Sequence, residues 1–196
     1  MAEDRFSTAV YLSRLQRAVE LVRENGLDAV IVTPGPDLQY LVGSRASTFE
    51  RLTALVLPAD GDPFVVAPRM ELAALRASAV GEAGLDVRDW VDGQDPYALA
   101  LRGLGITQRI GVSEATPALH TVPLAVTSDA AIELATPVLR SLRMVKDAAE
   151  IAALREAGAA IDRVHASGSG LDAPSARWLP TSPRRSWRRA TRWRTS

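Results

Sequence analysis

Apolar residues recur along this chain with two different periods, and the changes between them mark out its elements. Leu12, Leu15, Val19 and Val22 recur at three and four, which predicts an amphipathic helix with those residues on its buried stripe. Ser7 or Thr8 can cap its start, and Asn25-Gly26, a pair that tolerates left-handed backbone, can end it. Ala29-Val-Ile-Val32 is short, apolar and β-branched, as a buried strand is. Pro34-Gly35-Pro36 then turns the chain into Asp37-Leu-Gln-Tyr40-Leu-Val-Gly43, a helical turn ended by glycine. Residues 52–57 and 63–67 flank Asp60-Gly61-Asp62, a strand–turn–strand signal.

Residues 70–79 read as helix, and 85–90 alternate as a strand. Asp95-Pro96 opens a further helix with proline at its first position, closed by Gly103 to Gly105. Residues 109–112 form a strand, Thr116-Pro117 starts another helix, and 131–134 form the last strand. Strands spaced by helices predict an α/β fold with helices on both faces of a sheet. The hairpin at Asp60–Asp62 makes that sheet mixed rather than wholly parallel. Beyond it, Ile151, Leu154, Ala157, Ile161 and Val164 again recur at helical spacing. Asp147 precedes them with Glu150 three residues on, an Asp-headed capping box. Gly158, inside the run, weakens the helix by about 1 kcal/mol relative to alanine.

Two of these segments carry a family resemblance. Leu142-Arg143-Met144-Val145-Lys146, with Asp147, Glu150-Ile151 and Leu154-Arg155-Glu156-Ala157, resembles the joint of the Xaa-Pro peptidase family of prolidase, aminopeptidase P and creatinase. There an R-M-x-K-[ST/D]-x-x-E-I run links a smaller N-terminal domain to the metal-binding catalytic domain. Asp37-Leu-Gln-Tyr40-Leu-Val-Gly43 is similar to that family's N-x-x-Y-L-T-G, with Asp37 where Asn is usual and Val42 where Thr is usual.

The resemblance covers residues 8 to about 166. It implies a creatinase/prolidase N-terminal-like domain over 1–140, a mixed sheet of about six strands with helices on both faces. Residues 141–166 are then the joint and the first helix of a missing metallopeptidase domain. The family holds two divalent metals, such as manganese, with two Asp, one His and two Glu of its C-terminal domain. None of these ligands can be placed here, so no catalytic residue, metal ligand or cofactor is assigned to this chain. By the same resemblance, Tyr40, Arg45 and Phe49 are candidates for substrate access or for contact with a neighbouring subunit. Judged from the residues alone, Tyr40 and Phe49 are local packing and Arg45 is a solvated cation.

Composition changes the picture at one place. The chain has equal numbers of basic and acidic residues, 23 each, but seven Arg and one acid lie beyond Leu171, leaving 16 basic against 22 acidic residues before it. Three of the four Trp, at 178, 187 and 193, also lie there. Residues 167–196 are expected to be a disordered Arg/Trp-rich tail and to come from a shifted reading frame. Permitted codons two bases on give L-R-P-G-R-T-E, as follows the joint helix in the family. The alternatives are a basic, aromatic nucleic-acid arm, or plain linker.

The absence of cysteine suits a reducing compartment. The acidic start and the lack of a long apolar run predict a cytoplasmic chain with no membrane partner. His120 is expected on a helix surface, and His165 near the end of the joint helix. Gly168-Ser-Gly170 follows a helix and lacks a Lys-Ser/Thr pair, so it is no phosphate loop.

The expected function is therefore that of a truncated Xaa-Pro dipeptidase- or aminopeptidase P-like protein. It retains the non-catalytic domain, which serves oligomerisation and substrate access, and is inactive alone. Its expected partners are a second copy or an intact family member, without nucleic acid. The alternative is a stand-alone interaction module or regulatory pseudoenzyme docking on such a member, and after that a basic-tailed nucleic-acid binder.

Overall fold

A computed structural model describes residues 6–47, 50–105 and 108–166. They belong to two compact units, which divide between Lys146 and Asp147. The tail from residue 167, with its three Trp, lies outside the described residues.

The first unit is an α/β domain around a six-stranded mixed sheet in the order β4-β3-β2-β1-β5-β6. Its strands are β1 (Ala29–Val32), β2 (Ala54–Pro58), β3 (Phe64–Pro68), β4 (Asp86–Trp90), β5 (Arg109–Val112) and β6 (Ala131–Leu134). β2 runs antiparallel to β1 and β3, while β1–β5, β3–β4 and β5–β6 are parallel. The hairpin over Asp60–Asp62 is thus what makes the sheet mixed.

The central strands are buried on both faces, and alternation divides their side chains between two cores. Val30, Val32, Leu55, Leu57 and Val65 meet α1 (Thr8–Glu24), α2 (Pro36–Val42), α3 (Leu72–Arg76), α4 (Ala79–Glu82) and α7 (Thr136–Met144). Ile31, Val56, Phe64, Val66 and Ile110 meet α5 (Pro96–Leu101) and α6 (Ala118–Ser128). Continuous apolar strands covered on both sides are what crossover helices require.

Local chemistry explains the ends of these elements. Asp95 accepts N–H bonds from Tyr97 and Ala98 at 2.8 and 3.0 Å, the cap that sets α5 behind Pro96. Gly43 ends α2 with φ +66°, and a Cβ there would lie 2.8 Å from the Tyr11 hydroxyl. Left-handed backbone and close approach of Tyr11 both demand glycine.

Four details differ from the sequence pattern. The buried face of α1 is Tyr11, Arg14, Leu15, Ala18, Val19, Leu21 and Val22, while Leu12 is 45% exposed. Residues 70–79 are not one helix: a short turn at Arg69–Glu71 leads into α3, and the chain breaks at Ala77-Ser78 before α4. Ser78 causes the restart, its hydroxyl accepting the Val80 N–H at 3.3 Å. Thr136–Met144 is a separate helix, α7, with Val138, Leu139 and Leu142 buried.

His120, expected on a surface, is 2% exposed, with Nδ1 at 3.1 Å from the Tyr97 hydroxyl. Burial lowers its pKa from the ordinary 6.5. The unfolded state therefore binds the proton first as pH falls, so stability is complete above about pH 6.5 and is lost through the window below it. Against His120→Gln, which cannot titrate, the native chain loses extra unfolding free energy as pH falls below about 6.5. Urea titrations across that range check it; parallel curves for the two proteins would contradict it.

The second unit's described element is α8 (Ala148–Ala166). Its start is the expected reciprocal cap: Glu150 N–H donates to Asp147 Oδ1 at 2.7 Å, and Asp147 N–H to Glu150 Oε2 at 2.9 Å. No helix among the described residues is long and apolar enough to cross a membrane.

Candidate functional site

Tyr40 sits in the last turns of α2, where backbone carbonyls lack helical partners. Arg14, from α1, donates from one terminal guanidinium nitrogen to the Tyr40 carbonyl at 2.9 Å. Its guanidinium lies 4.0 Å from the Tyr40 ring centroid and 4.6 Å from that of Phe6. A buried cation is thus held by aromatic faces and a helix-end carbonyl. The Tyr40 hydroxyl in turn donates to the Leu142 carbonyl, near the end of α7, at 2.9 Å. Arg143 adds an ion pair to Asp37 at 2.7 Å. Lys146 donates to the Arg143 carbonyl at 2.7 Å, where a cation suits the end of a helix. The two segments that carry the family resemblance are therefore bonded to each other.

Arg45 is exposed on the segment leading from α2 to β2, and Phe49 lies outside the described residues. Of the sequence candidates, Tyr40 stands in this lock.

The same segment ends beside an open cleft of ≈ 340 Å³, lined by Arg51, Pro68, Arg69, Met70, Trp90, Val91 and Asp92. It lies at the carboxyl ends of the parallel strands β3 and β4, a common place for ligand clefts in α/β sheets. Trp90 is almost wholly buried, its indole N–H donating to the Leu52 carbonyl at 3.0 Å. Arg51 grips Asp92 through two nitrogens, at 3.1 and 2.9 Å. Those bonds hold the Asp92 carboxyl below its ordinary pKa. Hydrogen bonding from Arg69, at 2.5 Å, does the same to Asp89. With an apolar floor and cations on its rim, the cleft can hold a small group, and its described lining residues include no nucleophile paired to a base. Sequence reasoning missed it, because Arg51 and Asp92 are 41 positions apart. The signal within the sequence was Trp90 closing an alternating strand just before the polar run Asp92-Gly-Gln-Asp95.

Among the described residues, no group of three or more His, Cys, Asp or Glu could hold a metal ion. The two-metal ligand set that the resemblance implies is thus not found among the described residues.

Residues 14–145 match the model of the creatinase/prolidase N-terminal domain. The chain is 57% identical over 167 residues to the probable dipeptidase PepE of Mycobacterium tuberculosis, covering 85% of this chain and 44% of that protein. The crystal structure of dipeptidase PepE from Mycobacterium ulcerans superposes with a TM-score of 0.79 at 57% identity, over 83% of this chain and 44% of that one. Recombinant prolidase from Thermococcus sibiricus gives 0.69 at 25% identity, over 80% and 43%. The chain spans less than half the length of the curated relatives it matches.

Proposed function

The chain belongs to the creatinase/prolidase family through that N-terminal domain, and from this we propose that it serves as the non-catalytic domain of a dipeptidase acting on Xaa-Pro substrates. Its work is to narrow access to an active centre supplied by other residues and to assist assembly. The observation that carries the reading is the lock: Tyr40 and Asp37 hold Leu142 and Arg143. The lock fixes the end of α7 against α2, just before the point where a catalytic part would join. The cleft at Arg51, Trp90 and Asp92 and the segment bearing Arg45 and Phe49 are the surfaces proposed to face substrate. A chain without cysteine also suits the cytoplasm.

A chimera tests this. Residues 8–146 of this chain replace the corresponding part of M. tuberculosis PepE, and manganese-loaded enzyme is assayed on Xaa-Pro dipeptides and tripeptides. The chimera is expected to hydrolyse dipeptides. Arg51→Ala, which opens the cleft rim, is expected to raise KM or admit tripeptides with little change in kcat. Residues 1–196 alone are expected to release no proline above a blank. Turnover by this chain alone, or a chimera whose selectivity ignores Arg51, overturns the proposal.

A further inference from the structure

α6 carries a proline in its interior, Pro123. Proline has no backbone N–H, so the bond it would give four residues back is missing. The carbonyl that loses this donor belongs to Leu119. A donor comes instead from another helix. Tyr97, in α5, places its hydroxyl 3.3 Å from the Leu119 carbonyl oxygen, to which it donates. The same hydroxyl lies 3.1 Å from Nδ1 of His120, the next residue along α6.

One hydroxyl has one proton to give, so it cannot serve the carbonyl and the ring fully at once. With Nδ1 bare, that proton has two claims on it and one acceptor goes short. With a proton on Nδ1, the ring donates to the Tyr97 oxygen, and the hydroxyl proton is left for Leu119. The second arrangement makes both bonds. His120 is buried, and buried polar groups are bonded with few exceptions. Which ring nitrogen holds the proton is set by such partners.

We infer that Tyr97, His120 and Pro123 form an acid-sensitive latch between α5 and α6. Neutral His120 carries its proton on Nδ1 and donates to Tyr97, whose hydroxyl replaces the helical bond that Pro123 lacks. A second proton must then enter at Nε2 and leaves a cation in a buried seat. The surroundings do not offset that charge. α5 and β6 pack against α6. α5 brings Tyr97 and, at its two ends, Asp95 and Arg102. The Asp95 carboxylate is engaged by the N–H groups of Tyr97 and Ala98, and Arg102 is itself a cation. β6 brings Glu133, which Arg109 holds through two nitrogens. α6 has no Asp, Glu, Lys or Arg from Ala118 to Ser128, and Asp129 stands at its far end. Among the described residues, the ring's bonded partner is Tyr97 and no carboxylate. Burial accordingly lowers the ring's pKa, so the latch is closed at neutral pH. As pH falls below about 6.5 the charged ring leaves its seat, Tyr97 loses it, and α6 loosens at Pro123.

Nitrogen-15 NMR of the histidine rings in the full chain, with amide hydrogen exchange, is the test. The chain has two His, so His165→Gln, on exposed α8, identifies the signals of His120. At neutral pH the expected ring has a protonated Nδ1 and a bare Nε2, and Tyr97→Phe returns it to the Nε2–H form. Exchange of the α6 amides around Pro123, corrected for intrinsic rates, is expected to rise about tenfold as His120 titrates, the equivalent of one hydrogen bond. Tyr97→Phe shows that faster exchange already at neutral pH. Pro123→Ala gives Leu119 a backbone donor again, so in that background Tyr97→Phe has little effect on α6 exchange. A Tyr97 that merely fills space would not be rescued in this way. The ring measurement on the native chain needs no variant to fold, and unchanged far-UV circular dichroism verifies the others. Three results would each overturn the inference: a neutral ring with Nδ1 bare in the native chain, α6 exchange indifferent to the titration of His120, or Tyr97→Phe as disruptive with Pro123→Ala as without it.

Discussion

Trp90→Ala lowers the unfolding free energy by about 3–5 kcal/mol, the range for deleting a large buried aromatic. Trp90 closes β4 with 6% of its surface exposed and packs in the core with Ile31, Val56 and Ile110. Two costs add in the variant. The space left cannot close, because the strands around it are fixed by their ladders. The Leu52 carbonyl also loses the indole N–H that it accepts at 3.0 Å, inside the protein, and an unsatisfied buried acceptor costs about 1–3 kcal/mol. Trp90→Phe separates the two: it keeps most of the packing and loses the hydrogen bond, for a cost of roughly 1–2 kcal/mol. Urea unfolding followed by far-UV circular dichroism measures both without relying on tryptophan emission. An alanine variant within about 1 kcal/mol of the native protein would mean that the indole is not a core element. The experiment also bears on function, since Trp90 floors the cleft proposed to face substrate.

The strands are the most legible part of this sequence. Val30, Ile31, Val56 and Val66 are apolar on both faces because helices cover both, so short runs bounded by Gly, Pro and Asp locate all six strands to within two residues. Helix faces are less legible. On α1, a rule that counts apolar residues selects Leu12 and passes over Arg14, yet Arg14 is the buried one because aromatic rings accept its charge. α7 is hidden by its length: Val138, Leu139 and Leu142 make one short stripe, and the basic residues after it read as a lead-in to α8. His120 is buried by Tyr97, on another helix 23 positions away, which no local pattern contains. The functional surfaces share that limit. Tyr40 stands out in the sequence for its segment, but the carbonyl its hydroxyl reaches lies 102 positions further on. The capping box at Asp147 and Glu150 needs three positions only, and is legible for that reason.

The lock gives the second large effect. Arg14→Met keeps an unbranched side chain but removes the guanidinium from between the rings of Phe6 and Tyr40. A charged hydrogen bond to a carbonyl is worth about 1.5–3 kcal/mol, and a desolvated cation over an aromatic face roughly 0.5–2 kcal/mol. Methionine returns part of this as apolar contact, so the expected loss is about 2–4 kcal/mol. Tyr40→Phe, which deletes only the hydroxyl donated to Leu142, costs about 1 kcal/mol. The two changes are not expected to add. Arg14 fixes both the Tyr40 backbone and its ring, and the ring carries the hydroxyl that meets Leu142; once Arg14 is gone, that hydroxyl has less to lose. A double-mutant cycle read by urea unfolding should therefore show coupling on the order of 1 kcal/mol. In the chimera with PepE the same pair should lower activity together, because the direction in which the chain leaves α7 depends on both. Strict additivity in stability, with activity untouched, would reduce Arg14 and Tyr40 to separate packing residues and would remove the lock as the basis for the proposed function.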